Sequence, residues 1–115
     1  MLLPEGTKIL AVHRRLFERD DGRFFLGSVE GFESGIALVT GYTFVRDMLS
    51  GEMKRKDDPR TKLISISSGT VLVYKLPDDV DLDQVKFIAH ESELYLTDEG
   101  SLRMNLSEWT HRPIA

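Results

Sequence analysis

The sequence contains no cysteine. That absence removes disulfide bridges, thiolate zinc centres and thiol nucleophiles together. Long apolar runs are also missing: none approaches the roughly 20 residues that a helical membrane span requires. The opening Met1-Leu2-Leu3-Pro4-Glu5 has no basic stretch and no extended apolar segment, so a secretion signal is not expected. Together these absences fit a cytoplasmic chain, and the Asn105-Leu106-Ser107 sequon reads as chance. Positive charge is in deficit, with 15 Lys and Arg against 19 Asp and Glu, a net charge of −4. Sequence-blind nucleic-acid binders carry a positive surplus to displace counterions from phosphates, so such binding is disfavoured overall, and only a local basic patch stays open.

Chemical motifs are scarce too. No Ser stands in a Gly-x-Ser-x-Gly setting, and no glycine loop is built to cradle a phosphate. Carboxylates are plentiful, but spacing pairs no two of them for acid–base work. Neither an enzyme nor a cofactor is expected. The series Asp79, Asp81, Asp83 has the spacing of a calcium loop, yet Gln84 stands where glycine is required and His90 where the closing Glu belongs. His90, Glu91 and Glu93 read as a solvated turn rather than a metal site, so no metal is expected. His13 and His111 are isolated.

What the chain does have is strand after strand. Its 115 residues, 41% hydrophobic and 30% charged, suit one globular domain. Residues 8–19 read as a long first strand, broken by the hairpin signal Asp20-Asp21-Gly22. Residues 23–33 form a second strand containing Gly27 and Gly31, which in a strand mark a bend, a bulge or close backbone approach. After Ser34-Gly35, residues 36–45 carry apolar groups on both faces, as a strand covered on both sides does. Residues 46–62 lose the pattern and read either as a long polar hairpin loop or as frayed strand ends around Ser50-Gly51. Short strands are expected at residues 63–67 and 70–76, joined by Ser68-Gly69. A turn, or one turn of helix, follows Pro77. Further strands fall at residues 85–90, 94–97 and 102–106, with Asp98-Glu99-Gly100 as a hairpin. The expected class is all-β, a small barrel or sandwich.

The segment Asp21-Gly22-Arg23-Phe24-Phe25-Leu26-Gly27-Ser28-Val29-Glu30-Gly31-Phe32-Glu33 resembles the first motif of the Sm and Sm-like (LSm) proteins, and Ile66-Ser67-Ser68-Gly69-Thr70-Val71-Leu72-Val73-Tyr74 approximates the second. Gly51-Glu52-Met53-Lys54-Arg55 is similar to the variable charged loop between them. The resemblance implies a small, bent, five-stranded β-barrel over residues 8–77. Residues 78–106 would be a C-terminal strand extension of the same domain, and 107–115 a tail. It also implies homo-oligomeric rings in which the fourth strand of one subunit pairs with the fifth strand of its neighbour. The oligomer edge is then Thr70, Val71, Leu72, Val73 and Tyr74.

The family binds RNA through a uridine pocket. The residues aligned with that pocket are Phe32, Glu33, Gly35, Ala37, Ser68 and Gly69. Where the family has a stacking side chain, an Asn and an Arg, this chain has Gly35, Ala37 and Ser68. None of these can stack on a base, read its edge and supply a planar cation. The ordinary uridine site is therefore expected to be absent. The alternative nucleic-acid surface is the basic stretch Lys54, Arg55, Lys56, Arg60 and Lys62, whose plainer reading is a solvated hairpin tip partly neutralised by Asp57 and Asp58. Arg14, Arg15, Arg19 and Arg23 form a second basic group, which strand alternation would split across two faces. Two functions follow: an Sm-like ring that binds RNA weakly and electrostatically, or a scaffolding ring that binds protein partners.

Overall fold

A computed structural model describes residues 3–13, 23–46, 49, 52–90, 93–98, 100 and 102–106. The expected first hairpin turn at residues 20–22, the cations Arg14, Arg15 and Arg19, the turn at Ser50-Gly51, Glu91, His111 and the tail at 107–115 lie outside the described residues.

The described chain is all-β, with nine strands: β1 (Lys8–His13), β2 (Arg23–Glu33), β3 (Ile36–Arg46), β4 (Met53–Arg55), β5 (Arg60–Ser65), β6 (Val71–Lys75), β7 (Lys86–His90), β8 (Glu93–Thr97) and β9 (Arg103–Asn105). It forms two compact units, Met1–Asp79 and Val80–Ala115. Every pairing is antiparallel.

In the first unit the strand order is β4-β3-β2-β1-β6, and β5 pairs with the other end of β3. The long β3 thus carries two partners in succession, β4 beside Phe44–Arg46 and β5 beside Ile36–Gly41. This corrects the expectation of a closed barrel: no pairing among the described residues joins β5 to β6, so the sheet stays open. It nevertheless wraps one core. Ile9, Ala11, Phe25, Val29, Ala37, Val39 and Ile64 are buried together with Leu3, and Ile66 of the β5 side and Val71 and Val73 of β6 pack on the same cluster. Full burial of each large apolar side chain contributes about 1.5–3 kcal/mol. The opposite face of β1–β3 buries Leu10, Phe24, Leu26 and Phe44, so these strands are apolar on both sides, as the sequence of β3 implies.

Two glycines let the sheet bend. Gly27 and Gly41 are cross-strand partners. A Cβ on Gly27 would run into the Thr40 carbonyl, and one on Gly41 into the Leu26 carbonyl and the Gly27 backbone. Gly31 behaves differently: it follows the register shift between Val29 and Gly31, where the extra Glu30 makes a bulge, and a Cβ there would meet open space.

Of the two readings of residues 46–62, the structure agrees with strand ends around Ser50-Gly51, since β3 runs to Arg46 and pairs there with β4 at Met53, and it adds the beginning of β5 at Arg60. The charged residues of this stretch hide the strands because most of their side chains face water, and β3 is engaged through backbone pairing and a few polar or stacking contacts such as Arg55 on Tyr42 and Lys62 on Thr43. The second unit is a meander, β7-β8-β9. Val85, Leu96 and Leu102 are buried, and the Asp98 carboxylate closes the β8–β9 turn by accepting from the Gly100 and Leu102 N–H groups at 2.8 and 3.1 Å. No helix of the described residues is long and apolar enough to cross a membrane.

Candidate functional site: a basic hollow and two open strand edges

Strand alternation collects cations at one end of the first unit. Arg23, Phe25 and Gly27 alternate onto the inner face of β2, and Phe25 pairs with Thr43 of β3. On β5 the same face carries Arg60, Lys62 and the buried Ile64. The backbone of Lys56 is tied to this end by its N–H, which donates to the Thr43 carbonyl at 2.8 Å. The result is an open hollow of about 540 Å³ lined by Arg23, Thr43, Arg55, Lys56, Asp57, Asp58, Arg60 and Lys62.

Lys62 is the innermost of these cations. It is half-buried, with its ammonium 4.5 Å from the centre of the Phe25 ring and donating to the Thr43 hydroxyl at 3.4 Å. Shielding from water, followed by the positive charges of Arg23, Arg60 and Lys56, pushes its pKa below the ordinary lysine value. His13, on the same face of β1, is shifted the same way: partial shielding acts first, then Lys62 and Arg23, and its neutral form is favoured. The carboxylates at the rim only partly offset this charge. Asp58 reaches Arg60 at 4.0 Å, with both side chains largely exposed, an arrangement worth little.

Arg55 borders the hollow but its charge is spent elsewhere. Its guanidinium lies 4.3 Å from the centre of the Tyr42 ring, on the face of β3 opposite Thr43. Of the five basic residues singled out from sequence, the structure gathers Arg55, Lys56, Arg60 and Lys62 around the hollow, with Arg55 also stacked on Tyr42, and leaves Lys54 off the lining. It adds Arg23 and Thr43. Counting alternation from Ile64 back to Arg60, and from Phe25 back to Arg23, was the signal that joined them. It is masked when the strand is taken to start at Leu63, after a loop or frayed strand ends over residues 46–62.

The residues aligned with the family's uridine pocket do come close together. Ser34 and Gly35 take the left-handed backbone, with φ of 50° and 77°, and the Gly35 carbonyl accepts from Ile66 N–H at 3.0 Å. The turn 34–35 thus abuts the turn that carries Ser68 and Gly69. The side chains there offer no recognition. Ala37 is wholly buried in the core between Phe32 and Ile64. The Ser68 hydroxyl is engaged locally, donating to the Ser65 carbonyl at 3.2 Å and lying 2.8 Å from the Thr70 hydroxyl. Glu33 is exposed and Phe32 packs on the core.

The third feature is a pair of sheet edges. The Leu76 N–H donates to the Lys8 carbonyl, and from there the alternation of antiparallel pairing turns the N–H and C=O groups of Val71, Val73 and Lys75 away from β1. The bond from Ile66 N–H to the Gly35 carbonyl likewise turns those of Thr61, Leu63 and Ser65 away from β3. The strands β7–β9 form a sheet of their own. Leu63 is 74% exposed and Leu72 43%, and each is on the side of its strand away from the core cluster. Among the described residues no group of three or more His, Asp or Glu side chains is placed to hold a metal ion. The side chains of His90 and Glu93 are outside the described set. In comparison with known proteins, the chain matches no family model, no curated protein and no solved structure.

Proposed function

We propose that this chain is an Sm-like assembly module, a homo-oligomer whose copies join by strand pairing and which presents a basic surface to nucleic acid. The observation that carries the reading is the pair of open edges. β5 and β6 each point three residues' worth of backbone donors and acceptors outward, and each bears an exposed leucine on the same side of the sheet. An edge of that kind templates another chain. Pairing β5 of one copy with β6 of the next would continue the sheet, extend the Ile64 and Val73 core face across the junction and cover Leu63 and Leu72 together. The strand order and the bend at Gly27 and Gly41 suit the barrel that the sequence motifs imply. RNA would be held electrostatically through Lys56, Arg60 and Lys62, with Lys54 and Arg55 at the periphery, and without the family's uridine pocket. The second reading, a ring that scaffolds protein partners, is favoured by the buried Ala37 and the locally engaged Ser68.

The test is the solution mass at micromolar concentration. A closed multiple of the 13.1 kDa chain is expected. Val73→Pro removes an outward donor from β6 and Leu63→Lys places a charge on the edge of β5. Both should yield monomers with their β content intact. A monomeric parent protein overturns the assembly.

A further inference from the structure

The hollow is more specific than a basic surface. Four cations surround one partly dry point: Lys62, Arg23, Arg60 and Lys56. A free lysine at a surface turns its ammonium to water, but this one is held over the Phe25 ring beside the Thr43 hydroxyl, with like charges around it. Two carboxylates, Asp57 and Asp58, line the rim, so the lining as a whole keeps an excess of three positive charges over a chain whose net charge is −4. Mutual repulsion in such a cluster is relieved by a bound anion, and charge-assisted hydrogen bonds from ammonium and guanidinium groups suit phosphate oxygens best. Thr43 adds a neutral hydroxyl donor. Among the described residues the lining offers no aromatic face for a base, so what is described fits the charged group of a ligand.

We propose that the hollow is a discrete binding site for a compact phosphate dianion, a terminal phosphomonoester or a free phosphate compound, with Lys62 as its deepest donor and Arg23, Arg60 and Lys56 around it. The inference rests on the preceding reading only in taking this surface as anion-binding. It does not depend on strand pairing, so solution mass measured on the same samples separates the two. Arg55 also lines the hollow with its guanidinium stacked on Tyr42, whereas Lys54 lies off the lining and gives the proposal a built-in control.

The probes are inorganic phosphate and pyrophosphate, titrated calorimetrically into the full chain at an ionic strength fixed with chloride. Saturable binding at one site per chain is expected. Lys62→Met keeps the aliphatic stem over Phe25, and Arg23→Gln changes an exposed side chain, so both should fold. Each should weaken binding about tenfold, the usual cost of one hydrogen bond to a charged group, while Lys54→Gln stays within about twofold. The His13 imidazole is an independent reporter: a bound dianion near Lys62 and Arg23 should raise its pKa, readable by NMR, and in Arg23→Gln the rise should need about tenfold more phosphate. Competition by a 5′-phosphorylated oligoadenosine at concentrations well below those that its 5′-hydroxyl counterpart needs would make a nucleic-acid terminus the source. Competition by neither, with pyrophosphate still binding, would make it a small phosphate compound. The proposal is overturned if neither probe saturates, if the three variants lose affinity equally, or if the 5′-hydroxyl oligomer competes as well as the phosphorylated one.

Discussion

At the scale of single residues, the glycines of β2 and β3 divide by what surrounds them. Gly27 and Gly41 face each other across the bend, and a side chain on either would collide with backbone that has nowhere to go. Gly31 borders open space and has no left-handed φ. Gly27→Val and Gly41→Ala should each cost more than about 3 kcal/mol, at the severe end for single substitutions, because the backbones of β2 and β3 must part. Gly31→Ala should change stability by less than about 1 kcal/mol, with the sign set by the lower entropy of the unfolded chain. Chemical denaturation of the three variants checks the order. Equal losses at Gly27 and Gly31 would mean that the bend is spread along β2. Sequence reading marked Gly27 and Gly31 alike, since both interrupt one apolar strand. Only the cross-strand register separates a glycine that another backbone touches from one that follows a bulge.

At the scale of elements, what was legible follows from hydrophobic alternation. β2 is bounded at Arg23 and Glu33, as its apolar period and the Ser34-Gly35 turn imply, and β6 and the three strands of the second unit lie within about a residue of their expected limits. β4 and the first half of β5 were illegible for the same reason: Lys54, Arg55, Arg60 and Thr61 are exposed, and a strand held by backbone bonds to one neighbour leaves no apolar period. The candidate site inherited that error, since the hollow needs Arg60 and Lys62 on one face of a strand. The turn between β8 and β9 was legible in composition, and its energetics are testable. The hydrogen bond from Gly100 N–H, followed by that from Leu102, holds the Asp98 carboxyl below the ordinary aspartate value of 3.8. A depressed pKa means that the unfolded chain takes up the proton first, so the stabilisation is present above the ordinary value and is lost as pH falls through the folded one. Asp98→Ala should therefore quicken amide exchange at Gly100 and Leu102 at neutral pH, and the difference from the parent should shrink in acid. A difference that persists unchanged at the lowest pH would show that the carboxylate's charge is not what closes the turn.

At the scale of the whole molecule, charge would decide how the proposed nucleic-acid partner is met. The chain is net negative, yet Arg23, Lys56, Arg60 and Lys62 converge at one end of the first unit. Neutralising three or four phosphates of a single strand gives a slope of about −2 to −3 in log affinity against log salt, so affinity should fall roughly 16- to 64-fold between 50 and 200 mM salt. The turns aligned with the Sm pocket offer no source of uridine selectivity, because Ala37 is sealed in the core, Gly35 has no side chain and the Ser68 hydroxyl is occupied by its own turn. Stacking contributes about 1–3 kcal/mol per base where it exists, so its loss removes one to two decades of affinity and the discrimination that goes with it. Oligo-uridine and oligo-adenosine, titrated at both salt concentrations, should bind within a few-fold of each other and weaken in parallel. A submicromolar preference for uridine that survives the higher salt would require stacking side chains on a surface other than the turns at 34–35 and 66–70. If neither oligomer binds at the lower salt while the chain still forms closed multiples, the edges β5 and β6 serve a scaffold whose partners are proteins.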